Sequence, residues 1–145
     1  MSHYLLAGDV HGLFDQYYEQ IIKPCPNGDQ TIQLGDMGVF HPNDVKTLES
    51  LTSENHRFIR GNHDCPEYCN QISSYLGDFG TLENGRIFFC SGAHSIDRQF
   101  RVEGIDWWAD EELSYSLFQS AINSYERNKP EVVFTHDCPQ ELYEY

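Results

Sequence analysis

Five short apolar runs divide the chain, and each is followed at once by a segment that contains Asp, Asn or His. A short apolar run bounded by Gly predicts a buried β-strand. In open α/β sheets, reactive groups collect beyond the carboxyl ends of the strands. The sequence therefore predicts that these polar side chains are delivered to one edge of one sheet. The runs are Tyr4-Leu5-Leu6-Ala7, Thr31-Ile32-Gln33-Leu34, Arg57-Phe58-Ile59-Arg60, Ile87-Phe88-Phe89-Cys90 and Val132-Val133-Phe134, and the segments after them are Gly8-Asp9-Val10-His11-Gly12, Gly35-Asp36, Gly61-Asn62-His63-Asp64, Ser91-Gly92-Ala93-His94 and Thr135-His136-Asp137.

The charge of the chain argues against several classes of partner. The sequence has 9 basic and 23 acidic residues, a formal net charge of −14. A field of that sign repels long nucleic acid and anionic membranes. It does not exclude a small phosphorylated substrate, because bound divalent ions would place positive charge at the site itself.

Length and composition indicate a single domain spanning residues 1–145. No apolar run approaches membrane-spanning length, and the N-terminus lacks the basic and apolar regions of a signal peptide. The five cysteines are odd in number and irregularly spaced, which is typical of reduced thiols rather than of a disulfide framework. We therefore expect a cytoplasmic protein.

Periodicity and turn signals predict an α/β fold. Strands are expected near 3–8, 30–34, 56–60 and 131–134, and a hairpin with strands 79–82 and 86–90 is expected around Asn84-Gly85. Helices are expected over about 11–22, after Pro42-Asn43-Asp44 with Asn43 or Asp44 as the cap, over 66–72 and over 110–127. Strands that alternate with helices predict a largely parallel sheet covered on both faces. Residues 92–109 are predicted to be irregular.

The polar residues at the strand ends have the chemistry of metal ligands. Asp9 and His11 are two apart on a tight turn, so their side chains can face the same way. The carboxylate of Asp36 has two oxygens and could bridge two ions. Asn62 offers a neutral oxygen and His136 a nitrogen. Each residue alone is more often a turn, a cap or a surface residue, but together they indicate a site for a pair of divalent ions.

The motifs Gly8-Asp9-Val10-His11-Gly12, Gly35-Asp36, Arg60-Gly61-Asn62-His63-Asp64 and Thr135-His136 resemble those of the calcineurin-like metallophosphoesterase superfamily. The segment from Ser91 to Arg98, with Trp107-Trp108 downstream, is similar to a bacterial and phage branch of small phosphoesterases. The resemblance covers nearly the whole chain. It implies a sandwich with a largely parallel central sheet flanked by helices and an incomplete second sheet.

The resemblance also implies residue roles and cofactors. Two divalent ions are expected, Mn²⁺ first, with Fe, Zn²⁺ and Mg²⁺ as alternatives. Asp36 would bridge the two ions. A metal-bound hydroxide would attack the phosphorus of a phosphomonoester or small phosphodiester. Candidate substrates include a nucleotide and a phosphoprotein. His63 would protonate the leaving oxygen or stabilise the phosphoryl group, and Asp64 would orient it. Arg98 would contact phosphate, with a surface salt bridge as the alternative role. The implied metal ligands are Asp9, His11, Asp36, Asn62 and His136.

One part of the family pattern is missing from the sequence. The superfamily normally has a Gly-His-x-His segment after the Thr-His strand, and none occurs in these 145 residues. One reading is a truncated form, and another is a metal site completed by His94, water or a partner chain. A third reading is a catalytically impaired protein that acts as a binding or interaction module. An incomplete second sheet would leave apolar surface exposed, which predicts a homodimer or another covering partner.

Overall fold

Two β-sheets form the framework of the protein in the computed structural model, which describes residues 3–52 and 54–138. In the first sheet, β1, β2 and β3 lie side by side in that order and are all parallel, whereas in the second sheet β5 pairs antiparallel with β4 and parallel with β6. The strands are β1 (Tyr4–Ala7), β2 (Gln30–Leu34), β3 (His56–Ile59), β4 (Phe79–Leu82), β5 (Ile87–Cys90) and β6 (Val132–Thr135).

Four helices accompany the strands in the described part of the chain. The first continues directly into a π-helical turn over Tyr18–Ile22, so the helical segment ends where the sequence predicts. Short 3₁₀ turns lie at Glu83–Gly85 and Arg98–Phe100. The helices are α1 (Phe14–Tyr17), α2 (Pro42–Leu51), α3 (Pro66–Cys69) and α4 (Tyr115–Asn128).

The predicted α/β sandwich is confirmed, but the expectation that one sheet carries all the strand ends is wrong. The hairpin of β4 and β5 starts a second sheet, and β6 joins that sheet by pairing with β5. Apolar periodicity identifies strands but carries no information on which strands pair, because pairing depends on contacts between segments that are distant in sequence. The strand ends therefore come from two sheets.

Apolar side chains from both sheets form the layer between them. Ile32 and Ile59 of the first sheet pack against Phe89 and Phe134 of the second. A second cluster lies between the first sheet and the helices and includes Phe58, which has no solvent-exposed surface. Burial of each such side chain contributes roughly 1.5–3 kcal/mol to folding. The two apolar layers fix the sheets and helices relative to one another.

An edge position within a sheet does not by itself decide which of the predicted buried strands are buried. The central strand β2 is covered on both faces, and Ile32 and Gln33 have no exposed surface. Among the described strands, β1 and β6 lie at sheet edges, and Leu6 and Val133 remain about half exposed, whereas Phe58 and Ile59 of the edge strand β3 have no exposed surface. The prediction of fully buried strands is thus wrong for β1 and β6.

Capping interactions explain where two helices begin. Helix α2 begins after His41, and the Asp44 carboxylate accepts hydrogen bonds from the backbone N–H groups of Phe40 and His41 at 2.9 and 2.7 Å. Asp44 is thus the capping carboxylate, from the third helical position rather than from the cap position itself. Helix α4 begins after Ser114, whose Oγ accepts from the N–H of Leu117, so it starts later than predicted.

The predicted hairpin is confirmed. Strands β4 and β5 pair antiparallel with Leu82 opposite Ile87. Asn84 and Gly85 in the connecting turn adopt left-handed backbone conformations, with φ of 55° and 93°. Asn and Gly adopt this region at low energetic cost, which is why the pair is a strong hairpin signal.

Within the described ranges, no helix has both the length and the apolar character needed to cross a bilayer.

A buried histidine at the start of β3 links folding to pH. His56 is 1% exposed, and its Nδ1 lies 2.7 Å from Thr31 Oγ1 and 3.2 Å from Tyr17 Oη. Burial lowers the pKa of His56 from 6.5 to about 4, and the nearby Arg57 guanidinium acts in the same direction. Between these two values the unfolded chain binds a proton that the folded protein excludes. Stability is therefore lost as the pH falls from about 6.5 to about 4.

We predict that this protonation weakens the fold by roughly 2 kcal/mol between pH 7 and pH 5. Urea unfolding at both pH values measures the effect. His56→Asn places an amide near the position of Nδ1 but does not titrate, so its stability should change less between the two pH values. The exposed His3 serves as a control, because His3→Asn should retain the full difference. Equal differences in the wild type and His56→Asn would contradict the prediction.

Candidate metal centre

The loops after β1, β3, β5 and β6 meet at one end of the sandwich and surround an open cavity of about 470 Å³. Asp36, at the beginning of the loop after β2, is buried and lies against His11 and His136. The structure thus brings together all five predicted metal ligands. The residues lining the cavity are Asp9, Asn62, His63, Ala93, His94, Ile96, Asp97, Arg101, His136 and Asp137.

The carboxylate of Asp36 lies between two histidines. Its Oδ2 is 3.7 Å from Nε2 of His11, and its Oδ1 is 3.3 Å from Nε2 of His136. Oδ1 also accepts the backbone N–H of His63 at 2.9 Å. Asp36 adopts a left-handed conformation with φ of 57°. Such conformations are uncommon for non-glycine residues, and they concentrate at functional sites.

The hydrogen bond at the other ring nitrogen of His136 determines which nitrogen can bind a metal. Nδ1 lies 2.9 Å from the carbonyl oxygen of Leu34, which can only accept, so Nδ1 carries a proton. In the neutral ring, Nε2 then presents its lone pair toward the Asp36 carboxylate. Nε2 of His136 and Oδ1 of Asp36, 3.3 Å apart, then offer two lone pairs that one cation can bind together. This arrangement fits a divalent ion.

Asp9 and His11 form the more exposed side of the centre. Nε2 of His11 is 3.4 Å from Oδ2 of Asp9. The loop is held in place by backbone N–H groups of Val10 and His11, which both donate to the carbonyl oxygen of Asp36 at 2.9 Å. The first ligand loop is therefore attached directly to the residue that carries the central carboxylate.

Two groups of side chains place their ligand atoms close enough to hold an ion. Asp9, Asp36 and His136 form one, His11, Asp36 and His63 form the other, and within each the ligand atoms lie within 4.8 Å of one another. Asp36 belongs to both groups. Carboxylate oxygen and imidazole nitrogen suit Mn²⁺, Fe and Zn²⁺, so the residues present fit divalent metals without selecting one.

Close packing requires glycine at position 61. A Cβ atom on Gly61 would lie 2.2 Å from Oδ1 of Asp36 and 2.9 Å from Cδ2 of His136. No side chain can be added there without moving the central carboxylate or the histidine. The Gly in the Gly61-Asn62-His63 motif is therefore explained by the approach of two ligands to the backbone.

Asn62 and His63 leave the same loop in different directions. Nδ2 of Asn62 donates to Oγ of Ser95 at 3.1 Å. The ring of His63 packs edge-on against that of His11, with centroids 5.1 Å apart. Burial lowers the pKa of His63, whereas the Asp36 carboxylate acts to raise it. His63 is thus close enough to the ligands to act on a group bound there.

Asp64 does not contact His63 in the way the predicted orienting role requires. It is completely buried, and its carboxylate accepts four backbone hydrogen bonds. Burial raises the pKa of Asp64, and the backbone donors oppose that shift. Its role is to hold the loop after β2 onto the loop after β3. The four donors are the N–H groups of Met37 (3.2 Å), Gly38 (2.7 Å), Val39 (3.1 Å) and Gly61 (2.9 Å).

The arginine on the cavity wall is Arg101 rather than the predicted Arg98, which is exposed. Nη1 and Nη2 of Arg101 lie 2.9 and 2.7 Å from Nδ1 and Nε2 of His63. Both carboxylate oxygens of Asp97 accept from the same guanidinium at 2.8 Å. The 3₁₀ turn over Arg98–Phe100 directs residue 98 outward. The sequence could have indicated Arg101, because Asp97 and Arg101 are four residues apart, a spacing that allows an ion pair.

His94 lines the cavity, but the acidic side chain that it contacts is Glu112. Its Nδ1 lies 3.0 Å from Oε2 of Glu112. The ligand atoms of His94, Glu111 and Glu112 lie within 4.8 Å of one another. These three residues form a group that shares no member with the two groups that contain Asp36. The hypothesis that His94 substitutes for a missing ligand stays a prediction. The buried Glu111, which contacts Ser95, carried no sequence signal beyond its place in an acidic run.

The comparisons with known proteins agree with this geometry. The family model described as Calcineurin-like phosphoesterase matches residues 2–145. The match includes every strand and every loop of the candidate centre, which confirms the superfamily resemblance. No curated protein sequence matches the chain.

We predict that Asp64→Asn lowers the free energy of unfolding by roughly 2–5 kcal/mol. An amide has one acceptor oxygen, so two of the four buried N–H donors lose their partner, each at about 1–3 kcal/mol. Urea unfolding at pH 7 measures the loss.

Asp44→Asn is the matched control for this substitution. Both N–H groups at the start of α2 bind the same oxygen of Asp44, which the amide oxygen of Asn can replace. Its effect should stay below about 1 kcal/mol. Equal losses in the two variants would contradict the role assigned to Asp64.

Proposed function

The chain belongs to the calcineurin-like phosphoesterase family, and from that premise we propose that it hydrolyses a phosphomonoester or small phosphodiester at the centre around Asp36. The proposed centre holds two divalent ions. The proposed ligands are Asp9, His11, Asp36, Asn62 and His136, with His63 and Arg101 acting on the substrate.

The observation that carries the proposal is the position of the Asp36 carboxylate. Oδ1 faces His136 and Oδ2 faces His11, so each oxygen is directed toward a different ligand group. A single carboxylate placed in this way supports two neighbouring ions rather than one. The left-handed backbone of Asp36 and the absence of a side chain at Gly61 keep it there.

Bound divalent ions would act as Lewis acids on a phosphoryl oxygen and would lower the pKa of water. The protein itself supplies charge and a proton at the cavity wall. The Arg101 guanidinium, held by Asp97, faces the cavity and offers N–H donors to phosphate oxygens. His63 lies against it and would hold the proton that the leaving oxygen needs.

The shape and charge of the site favour a small substrate. The cavity is open and about 470 Å³ in volume, which accommodates a nucleotide-sized ester or a phosphorylated side chain. The net charge of −14 opposes the approach of long nucleic acid. Ile96, 91% exposed, adds an apolar surface to the cavity wall that could contact the leaving group.

A covering partner and a cytoplasmic location remain predictions. Support for a partner comes from two of the edge strands, where Leu5 and Leu6 on β1 and Val132 and Val133 on β6 are about half exposed. Exposed apolar residues on unpaired strand edges favour association. A homodimer is one such association.

We predict metal-dependent hydrolysis of p-nitrophenyl phosphate or of its bis-ester. Protein stripped with a chelator should be inactive, and Mn²⁺ should restore turnover. His63→Ala should reduce turnover at least about 100-fold, because general acid catalysis contributes roughly 10²–10⁴-fold. His3→Ala, far from the centre, is the control. A wild-type protein that binds Mn²⁺ but does not hydrolyse either ester would overturn the proposal and favour a binding module.

We also predict how metal content depends on the ligands. Asp36→Ala should lose both ions, because its carboxylate belongs to both groups. His11→Ala and His136→Ala should each lose about one. Elemental analysis of the folded variants measures the ratio, and Asp36→Asn provides a second variant if Asp36→Ala fails to fold. Retention of both ions in the Asp36 variants would refute the bridging role.

A further inference from the structure

A buried carboxylate next to the metal centre is directed entirely at one serine. Glu111 is 2% exposed, and Ser95 is 1% exposed. Oε1 of Glu111 accepts the backbone N–H of Ser95 at 2.7 Å, and Oε2 accepts its hydroxyl at 2.6 Å. Ser95 Oγ in turn accepts from Nδ2 of Asn62 at 3.1 Å. Three residues from three separate loops therefore form one chain of hydrogen bonds.

Each hydrogen bond in this chain has a defined direction. A carboxylate can only accept, so the single hydroxyl proton of Ser95 is committed to Glu111. Only the lone pairs of Ser95 Oγ are left for Asn62, and they require a donor. Asn62 must therefore turn its NH₂ group toward Ser95. Its Oδ1 is left for the cavity that Asn62 lines.

We propose that Ser95 and Glu111 are positioning residues that fix the amide of Asn62 with its oxygen, not its nitrogen, available to a metal ion. This inference rests on the proposed function, because it assigns Asn62 as a ligand. An amide nitrogen has no lone pair to donate, so a reversed Asn62 could not bind the ion. The Glu111–Ser95 pair therefore decides whether position 62 supplies a ligand.

The backbone around Glu111 is itself held in place. The guanidinium of the buried Arg60 donates to the carbonyl oxygen of Glu111 and also to Asp78 Oδ1, at 3.1 Å for the second bond. A Cβ atom on Gly92 would lie 2.4 Å from the same Glu111 carbonyl oxygen. The segment that carries Glu111 is thus packed against the loops after β3 and β5, which limits its freedom to shift.

The substitution Glu111→Gln should reverse the direction of the hydrogen bond to the Ser95 hydroxyl without removing the side chain. Gln has nearly the same shape as Glu, but an NH₂ group that can only donate replaces one of the two acceptor oxygens. The N–H of Ser95 must keep the acceptor, so the Gln NH₂ group faces Ser95 Oγ and donates to it. The hydroxyl proton then points toward Asn62 and favours its oxygen. The side chain of Asn62 is expected to reverse.

The first measurement needs no metal. In ¹⁵N-labelled, metal-free protein, the side-chain NH₂ resonances of Asn62 should shift and exchange faster in Glu111→Gln than in the wild type, because the bond to Ser95 is lost. Ser95→Ala should have a similar effect. The neighbouring Glu112→Gln is the control, since Glu112 is exposed and contacts His94 instead. Unchanged Asn62 resonances in both Glu111→Gln and Ser95→Ala would overturn the proposal.

The second measurement is Mn²⁺ affinity by electron paramagnetic resonance. We expect the dissociation constant for Mn²⁺ to be about 10–100-fold higher in Glu111→Gln than in the wild type. This range is typical when a residue that hydrogen-bonds to a metal ligand is replaced. Ser95→Ala leaves the Asn62 amide free to adopt either orientation rather than reversing it. The loss of Mn²⁺ affinity in Ser95→Ala should therefore be smaller than in Glu111→Gln. The double variant should bind no more weakly than Glu111→Gln alone. Affinities that instead follow the thermal stability of the variants would indicate general loosening and overturn the positioning role.

The two measurements distinguish the failure of this inference from that of the proposed function. A wild-type protein that binds no Mn²⁺ would refute the proposed centre, and the amide resonances would still test the orientation of Asn62. Normal Mn²⁺ binding in folded Glu111→Gln would refute the positioning role alone. A response of Glu112→Gln equal to that of Glu111→Gln would also overturn it, because a change in local charge would then account for the effect.

Discussion

The candidate metal centre depends on a carboxyl group that is not part of it. Asp64 is buried directly after Asn62 and His63, and it accepts hydrogen bonds from backbone N–H groups of the loop after β2. That loop carries Asp36, and the carbonyl oxygen of Asp36 in turn binds two N–H groups of the loop that carries Asp9 and His11. One buried carboxyl group thus connects three loops of the candidate centre through backbone atoms. Backbone donors cannot rotate away, so the loops keep their spacing.

Two levels of structure share the task of positioning the ligands. The sheets deliver the loops to one end of the sandwich, and their packing through Ile32, Ile59, Phe89 and Phe134 sets the distance between them. Hydrogen bonds to buried polar groups then set the orientation of individual side chains. The bond from His136 to the carbonyl oxygen of Leu34 is an example that spans both sheets. Packing alone would place the loops but would leave the ring nitrogens undirected.

The sequence indicates which residues meet at the candidate centre, but it does not indicate the contacts that support them, for a physical reason. Asp9, Asp36 and Asn62 follow apolar runs directly, and short-range patterns are sufficient to locate strand ends. The contacts of Asp64, Arg101 and Glu111 join segments that lie far apart in sequence, and no periodicity records them. The same limitation explains the error of a single sheet, since strand pairing is also a long-range property. Residue identity indicates what a side chain can do, whereas the fold decides what it meets.

The order of the ligands along the chain has a consequence for biosynthesis. The first ligand loop follows β1, but His136 follows β6, after every other described strand. A nascent chain emerging from the ribosome therefore carries Asp9 and His11 long before the residue that faces them across Asp36 exists. Newly made protein cannot assemble both ligand groups until translation has passed β6 and that strand has joined its sheet. Of the two candidate ligand groups, the one that includes His136 is therefore completed late, when the two sheets have already come together.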